Sequence, residues 1–328
     1  MGHEVFSMGA YQTANADNGV RPAIPGLYQN DHLKGASIRC NKENIGEELI
    51  EWADIIITMH NSRVDIKDHP QPWIHRNWEK MKHKPVIWRS IGQSTREIEK
   101  SIEAYRKKGL KIVRYSPREE SIPSYQGSDA LIRFYKDPDE YKDYNGQIAR
   151  IVNISQALFG GKEVKSRGDH MNLDVFKQVV DGLPWKVFGP DNGNAGEEYD
   201  GGVMGFEDLK SMLRFNRVYL YFGTRPASYT LAFIEAMMTG IPIVSVGPVY
   251  GNSIYTDQKT FEVHDIIGES GTAGFWSDNP EELKSFCKQL LDDPDLAMKV
   301  GAAGRIKAIS LFGKDKIAAE WDALFKTL

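Results

Sequence analysis

The sequence predicts an α/β protein built from two domains, each with a parallel sheet, that face each other across a cleft. At 328 residues the chain is longer than one typical domain. Short apolar runs alternate with helix-length segments in both halves, and a stretch rich in Pro, Asp and Tyr, 116–146, interrupts that alternation. Such alternation is typical of doubly wound, Rossmann-like sheets. We therefore expect Rossmann-like domains over 1–146 and 147–328.

The first domain is predicted from apolar runs separated by amphipathic segments. A continuous β-branched run at 54–59 indicates a strand buried on both faces. Asn44 is expected to cap the first helix. The predicted strands are 3–8, 54–59, 85–88, 110–114 and 130–134, and the predicted helices are 44–53, 73–82 and 95–108.

The second domain restarts the same alternation after residue 147. Its last helices follow in series, and the closing one is expected to cross back to the first domain. The predicted strands are 150–154, 185–188, 218–222 and 242–246, and the predicted helices are 173–181, 206–214, 228–239, 281–291, 295–310 and 315–326.

Composition excludes several classes of protein. Hydrophobic residues make up 41% and charged residues 26%, which is ordinary for a globular protein. The two cysteines, Cys40 and Cys287, form no CxxC pair, which argues against a disulfide framework or a zinc site. No apolar run reaches the roughly 20 residues that span a bilayer, and no signal peptide is recognised. We expect a cytoplasmic location, with peripheral contact to a membrane as the alternative.

The segment from Phe222 to Val244 carries most of the functional information. A strand runs into Gly223 and a polar turn, and the following helix carries Glu235. Ligands of parallel α/β sheets bind beyond the carboxyl ends of the strands. A helix N-terminus there offers free N–H groups to a diphosphate, and we expect Ser228, Tyr229 and Thr230 on that first turn. A carboxylate about two turns further along the same helix, such as that of Glu235, can accept from the two hydroxyls of a ribose. Most helices that follow such a strand and turn are only structural.

The same segment resembles the retaining glycosyltransferases of the GT-B fold, the family-4-like glycosyl transferases group 1. Their motif, Pro-Ser and then Glu-x7-Glu-Ala-Met-Ala-x-Gly-x-Pro-Val-Val, is similar to Y-T-L-A-F-I-E-A-M-M-T-G-I-P-I-V from Tyr229. The resemblance implies that Glu235 holds the donor ribose, that the preceding turn holds the diphosphate, and that Gly205 and Phe206 lie near the base. It implies a nucleoside diphosphate sugar as donor, with no separate cofactor and no metal.

Two positions depart from that family. The first Glu of its motif, which contacts the transferred sugar, falls on Ala227. Arg225 either compensates through a charge or hydrogen bond, or is a surface or salt-bridge arginine. The cations that neutralise the diphosphate are expected in the loop at 160–170, where Arg167 and Lys165 are the candidates and His170 is a third.

The acceptor side is matched more loosely. His60 resembles a family histidine at a strand end, with a catalytic or acceptor role, or a structural one, as its alternatives. A second family histidine is absent near Ile91, where Arg89 and Gln93 are candidates for contacting acceptor or phosphate. Either the first strand-helix unit of the domain is missing, or 3–8 serves as its first strand.

The stretch from Arg76 to Arg118 contains thirteen Lys or Arg against four Glu. Three interpretations remain open: an acceptor with a phosphate backbone such as modified DNA, an anionic membrane with Trp73, Trp78 and Trp88 as aromatic anchors, or a solvated charged surface. The oligomeric state is not predicted.

The leading functional hypothesis is a metal-independent retaining glycosyltransferase. A sugar-nucleotide epimerase of related two-domain fold is an alternative whose own motifs are not visible in the sequence. A non-catalytic GT-B module that binds nucleotide or polymer is the second alternative, and Ala227 is the residue that favours it.

Overall fold

The computed structural model describes residues 45–58, 73–92, 94–252 and 257–328, together with residues 2, 3 and 5. The chain divides into two compact units. Unit 1 comprises Met1–Ile132 and Glu320–Leu328, and unit 2 comprises Arg133–Ala319. Each unit contains a parallel sheet, so the predicted α/β class is confirmed. Residues 133–146, which we expected in the first domain, belong to unit 2.

In the described part of unit 1 the sheet has four parallel strands in the order β1-β2-β3-β4, with Ile57 opposite Ile87 and Trp88 opposite Ile112. Among the described strands β1 is outermost, and Ile57 is 40% exposed. The prediction that this strand is buried on both faces is therefore wrong. The strands are β1 (Ile56–Thr58), β2 (Val86–Arg89), β3 (Lys111–Arg114) and β4 (Ala130–Leu131).

The helices that alternate with these strands, within the residues that the structure describes, are α1 (Glu47–Trp52), α2 (Trp73–Met81) and α3 (Arg96–Arg106). The N-cap of α1 is Gly46, so the prediction of Asn44, which lies outside the described residues, is wrong. Ile45 N donates to Asn77 Oδ1 at 3.0 Å, which ties the chain to α2 before α1 begins. Trp78 and Trp88 are buried in the core of unit 1, so neither is available as a membrane anchor.

A buried ion pair lies between α3 and β3. Arg114 donates to both oxygens of Glu99, at 2.6 and 2.9 Å, and both side chains are almost fully buried. The Arg114 guanidinium also lies over the rings of Trp88 and Tyr125, at 5.2 and 4.4 Å from their centres. Buried charges persist only when they are paired and hydrogen-bonded in this way.

A second buried carboxyl, that of Glu119, lies where β2 and β3 end. Its Oε2 accepts from Ser90 Oγ at 2.5 Å and from Tyr115 N at 3.3 Å. Burial raises the pKa of the Glu119 carboxyl, and the charge of Arg114 and the hydroxyls of Ser90 and Ser94 oppose that rise only in part.

We expect Glu119→Gln to change how stability depends on pH. Because the pKa is raised in the folded protein, Glu119 stabilises the fold below the unfolded pKa, and this stabilisation is lost as pH rises through the folded pKa. Glutamine cannot ionise, so the unfolding free energy of the variant minus that of the wild type should grow from pH 4 to pH 8, by about 1.4 kcal/mol per unit of pKa shift. Urea unfolding across this range measures it, and a difference that stays constant or falls contradicts the assignment.

The sheet of unit 2 has five parallel strands in the order β6-β5-β7-β8-β9. Its central strands are apolar on both faces, with Val152, Val218 and Val244 fully buried. The short strand β9 was not predicted. The strands are β5 (Ile148–Ile154), β6 (Trp185–Phe188), β7 (Asn216–Tyr221), β8 (Ile243–Val246) and β9 (Phe275–Ser277).

Two helices of unit 2 begin at polar side-chain caps that precede a proline. Asn279 accepts from Glu281 N at 3.0 Å and Asp293 accepts from Leu296 N at 2.9 Å, each before a proline in the first turn. The short helices α7 and α8 were not predicted. The helices are α4 (Leu173–Val180), α5 (Phe206–Phe215), α6 (Leu231–Thr239), α7 (Pro248–Gly251), α8 (Val263–Ile267), α9 (Pro280–Asp292) and α10 (Pro294–Phe312), and α11 (Lys314–Phe325) runs from unit 2 into unit 1.

Glycines allow α10 to pack closely against the end of α6. Gly240 ends α6 in a left-handed conformation, with φ +93°. A Cβ on Gly301 would overlap the carbonyl oxygen of Gly240, and one on Gly304 would lie 3.0 Å from Ala273 O. Arg305 of α10 donates to Met238 O, so the carboxyl end of α6 is held by backbone contact and by a side chain.

None of the helices in the described ranges is both long enough and apolar enough to cross a membrane.

Candidate functional site

The strand order of unit 2 reverses direction between β5 and β7. From β5 the chain moves outward to β6, and then returns to the other side of β5 as β7. The loops that follow two such strands diverge, which opens a crevice at the carboxyl ends where ligands of α/β proteins bind. The loop after β5 carries Lys165 and Arg167, and the loop after β7 leads to α6 and Glu235.

These two loops are joined by hydrogen bonds. Arg225 N donates to His170 O at 3.0 Å, and the Arg225 guanidinium donates to Asp169 O. Asn172 Nδ2 donates to Phe222 O at 3.0 Å. Arg225 is only 8% exposed, so it is not a surface arginine: it links the two loops.

The loop after β5 folds back on itself and presents its cations to solvent. Gly160 has φ +77°, and a Cβ there would lie 2.6 Å from Ser166 N, so the turn requires glycine. Arg167 N donates to Ala157 O at 2.7 Å. The side chains of Lys165 and Arg167 are exposed, and within the described ranges neither takes part in an ion pair. His170 is exposed as well.

Helix α6 begins later than the sequence predicts. Its first residue is Leu231, and the Thr230 hydroxyl caps it by accepting from Phe233 N at 3.3 Å. Ser228 and Tyr229 therefore precede the first turn, and their predicted place on it is wrong. The reason is tertiary: Glu262 N donates to Ser228 O at 3.1 Å. Thr260 Oγ1 also donates to Pro226 O at 2.5 Å.

The turn before α6 is held by a buried ion pair that the sequence analysis missed. Arg133 donates to both carboxylate oxygens of Glu262, and its Nη1 lies 3.5 Å from the Tyr229 hydroxyl. The side chains of Arg133 and Glu262 are 12% and 3% exposed. The carboxylate and its hydrogen bonds raise the pKa of Arg133 despite its burial. Ala227, in this same turn, is buried, and its side chain has no group that could form a hydrogen bond to a sugar.

Glu235 lies on the buried face of α6 and is paired with a second missed residue, Lys136. Lys136 Nζ is 2.5 Å from Glu235 Oε1, and the two side chains are 14% and 1% exposed. The ammonium lies 5.6 Å from the centre of the Tyr141 ring. Tyr141 packs edge-on against Phe206, the first residue of α5 after its N-cap Gly205. Glu235 and Phe206, which are far apart in sequence, are thus linked through contacts of Lys136 and Tyr141.

Arg133 and Lys136 lie in the stretch 116–146, which interrupts the alternation of strands and helices in the sequence. In the sequence they could be noticed as two cations three residues apart in R-F-Y-K, each next to an aromatic residue. Their partners are 129 and 99 positions away, so sequence proximity could not pair them.

The candidates of unit 1 are only partly described. His60 and Gln93 lie outside the described residues. Arg89 is 3% exposed, and its guanidinium lies 5.7 Å from the centre of the Trp321 ring. The described residues contain no cluster of three or more His, Cys, Asp or Glu side chains that could hold a metal ion.

Acidic neighbours partly neutralise the basic stretch 76–118. Glu79 lies 2.6 Å from Lys82 and 3.9 Å from Lys108, and Glu103 lies 2.7 Å from Lys107. Among the described residues, those with an acidic partner include Lys82, Lys84, Arg106, Lys107, Lys108, Lys111 and Arg114. Most of these pairs are exposed, so they reduce the local positive potential without ordering the surface strongly.

No protein-family model and no curated protein matches the chain. Solved structures do. Sucrose-phosphate synthase from Thermosynechococcus elongatus superposes with a TM-score of 0.61 at 14% identity, covering 85% of this chain and 77% of its own. HepE from Anabaena, in complex with UDP and glucose, superposes with a TM-score of 0.60 at 11% identity, and the match covers 86% of this chain and 80% of HepE.

A glycosyltransferase from Rickettsia africae gives a TM-score of 0.59 at 13% identity, covering 94% of this chain and 83% of its own. These likenesses extend over both units, and their identities support the fold alone. The protein therefore has the GT-B fold that these glycosyltransferases share.

Proposed function

We propose that the protein is a glycosyltransferase that takes a nucleoside diphosphate sugar as donor and binds its nucleotide in unit 2. The observation that carries the proposal is the buried carboxylate of Glu235 on α6, the helix that follows β7. A buried ion pair on a helix that begins at the ligand-binding edge of a sheet favours a binding role for that carboxylate. The fold is also that of HepE, whose structure contains UDP-glucose.

In this proposal the diphosphate lies between the start of α6 and the loop after β5. Backbone N–H groups at Ser228, Tyr229 and Thr230 and the positive end of the α6 dipole face its oxygens. Arg167 and Lys165, exposed and without ion pairs in the described part of the chain, supply the positive charge. Arg225 acts indirectly, because its guanidinium joins the two loops.

The ribose and the base lie along α6 and α5. Glu235 is four residues after Leu231, a rise of about 6 Å, which leads from the diphosphate toward the ribose. Its carboxylate accepts from the two ribose hydroxyls. Phe206 and Gly205, at the start of α5, border the base. Tyr141 lies between the two groups, edge-on to Phe206.

The chemistry we propose is transfer with retention and without a metal, as the family resemblance implies. The acceptor oxygen bonds to the anomeric carbon on the face from which the diphosphate departs, the bond from that carbon to phosphate oxygen breaks, and the acceptor proton passes to the leaving phosphate. The protein then contributes mainly electrostatic stabilisation of the departing charge. Arg167, Lys165 and the α6 dipole are the groups placed for this, and His60 is the candidate on the acceptor side.

The proposed acceptor is polyanionic and binds to unit 1. The stretch 76–118 retains more cations than acids, and Arg106, Lys107 and Lys108 are consecutive. Retention on duplex DNA, on anionic liposomes, or on neither, compared at low and high salt, separates the three interpretations of this stretch, because phosphate contacts weaken steeply with salt.

A non-catalytic module that binds nucleotide is the second candidate, and one observation favours it: Ala227 replaces the acid that contacts the sugar in the family. Mass spectrometry of a nucleotide-sugar incubation decides between the two. An enzyme releases nucleoside diphosphate by slow hydrolysis even without acceptor, whereas a binding module returns the donor intact.

The proposal itself is tested by thermal unfolding with UDP, ADP, GDP and their glucose conjugates, using the free nucleosides and inorganic pyrophosphate as controls. A ligand of the folded state stabilises it by about 2.7 kcal/mol at a hundred times its dissociation constant. We expect one nucleoside diphosphate to raise the melting temperature by several degrees and its nucleoside to have little effect. Failure of all three bases and their conjugates would overturn the proposal.

A further inference from the structure

The turn that leads into α6, residues 224–230, is anchored from two sides, and we call it the donor turn. On one side Arg225 joins it to the loop after β5. On the other side Glu262 N donates to Ser228 O at 3.1 Å, and the hydroxyl of Thr260 donates to the turn as well. The second anchor therefore acts close to the point where the donor turn ends and α6 begins.

Arg133 holds this second anchor from the interior of unit 2. Its guanidinium donates to both carboxylate oxygens of Glu262, and its Nη1 lies 3.5 Å from the Tyr229 hydroxyl. The same guanidinium lies 5.8 Å from the centre of the Tyr229 ring and 5.6 Å from that of Phe312. Glu262 thus holds the donor turn through its backbone and is itself held through its side chain.

A pair of this kind fixes direction as well as distance. Two parallel hydrogen bonds from one guanidinium to one carboxylate define a plane, and in the interior neither charge can be released without a large cost. Anion binding at a helix N-terminus depends on such a fixed direction, because the N–H groups and the dipole act only within the first turn. Groups that bind a ligand have to be held within about 0.5 Å of their productive positions.

We propose that Arg133 and Glu262 are positioning residues of the nucleotide site: their ion pair fixes the donor turn and the start of α6, and thereby sets how strongly the site prefers a nucleoside diphosphate to its nucleoside. The inference rests on the proposed function, because that function places the diphosphate at the start of α6. Neither residue lies in the segment 222–244 that resembles the family motif.

The test measures the dissociation constant of the preferred nucleoside diphosphate by calorimetry and that of its nucleoside by competition. In Arg133→Met the diphosphate should bind about tenfold more weakly, the effect of about one charge-assisted hydrogen bond, while the nucleoside should change by less than about twofold. The preference for the diphosphate should therefore fall about tenfold. Arg133→Lys keeps the charge but not the fork that binds both oxygens, so its preference should be intermediate. Glu262→Gln should lower the preference as Arg133→Met does.

Two control variants separate positioning from stability. Arg114→Met removes a buried pair of the same kind, that with Glu99, from unit 1. It should lower the melting temperature and leave the preference for the diphosphate unchanged. Lys314→Met removes an exposed lysine of unit 2 that pairs with Asp137 at 3.0 Å, and it should change neither quantity appreciably.

Melting curves without ligand report folding, and Glu262→Gln alone carries the test if Arg133→Met does not fold. A wild-type preference in the folded variants of this pair overturns the inference alone, whether or not they are less stable, because the pair is then only structural. A wild type that binds no nucleoside diphosphate, or binds it no better than the nucleoside, overturns the proposed function as well.

Discussion

Glu235→Gln should weaken nucleoside diphosphate binding by about a hundredfold and reduce sugar transfer at least as much. The change keeps the shape of the side chain but removes the charge that, in the proposed site, accepts from two ribose hydroxyls, each bond being worth roughly 1.5 kcal/mol or more. Calorimetry with the preferred nucleotide measures the loss of affinity, and release of nucleoside diphosphate measures the loss of turnover. Glu235→Ala should abolish both activities.

The glutamine variant separates loss of binding from loss of stability better than the alanine variant does. Alanine would leave Lys136, only 14% exposed, without its carboxylate, so loss of activity could be accompanied by loss of stability. Glutamine still offers an oxygen to the ammonium. Glu281→Gln, an exposed acid in the first turn of α9, is the control and should bind nucleotide like the wild type. Wild-type affinity and turnover in Glu235→Gln would remove the basis of the proposed site.

Arg114→Met should have the largest effect on stability, a loss of about 3–5 kcal/mol in the unfolding free energy of unit 1. The substitution leaves the carboxylate of Glu99 buried without the guanidinium that binds both its oxygens. It also removes the charge over the rings of Trp88 and Tyr125. Urea unfolding followed by tryptophan fluorescence measures the change, since Trp88 lies in the affected core.

An exposed ion pair at the C-terminal end of α3, the helix that carries Glu99, provides the control. Lys107 and Glu103 are 2.7 Å apart and their side chains are 72% and 44% exposed, so Lys107→Met should cost less than about 1 kcal/mol. In the double variant Arg114→Met/Glu99→Leu the loss should be smaller than in Arg114→Met alone, because no charge remains buried. A cost for Arg114→Met as small as that of the exposed pair would show that Glu99 finds another partner.

The fold could be predicted from sequence because its signals are local. β7 and β8 are apolar runs long enough to be read as buried strands, and α9 and α10 start at a polar cap followed by proline. Strand β9 was missed because it has only three residues between glycines and a turn. The start of α6 was placed three residues early because contacts from Thr260 and Glu262, more than thirty positions away, hold the preceding turn out of the helix.

The candidate site was predictable only where a motif names a residue. Glu235 is identified by the family motif. Gly205 and Phe206 are identified by their position before β7, the strand that leads to that motif. Lys136 and Arg133 could not be found, because their function depends on partners that tertiary structure brings to them. The strand predicted over 130–134 ends at Leu131. Arg133, two residues later, is the first residue of unit 2 and donates to Glu262, a partner that the local sequence does not indicate. The roles of the site residues stay predictions.

The contact between α10 and the end of α6 restricts how this protein can vary. Helix α6 carries Glu235, and its carboxyl end is fixed where the carbonyl of Gly240 meets Gly301. Even a methyl group at position 301 would displace α6 relative to α10. The carboxylate of Glu235, more than one helical turn before Gly240, would move with it. In a library of random variants selected for donor use, position 301 should therefore tolerate nothing but glycine.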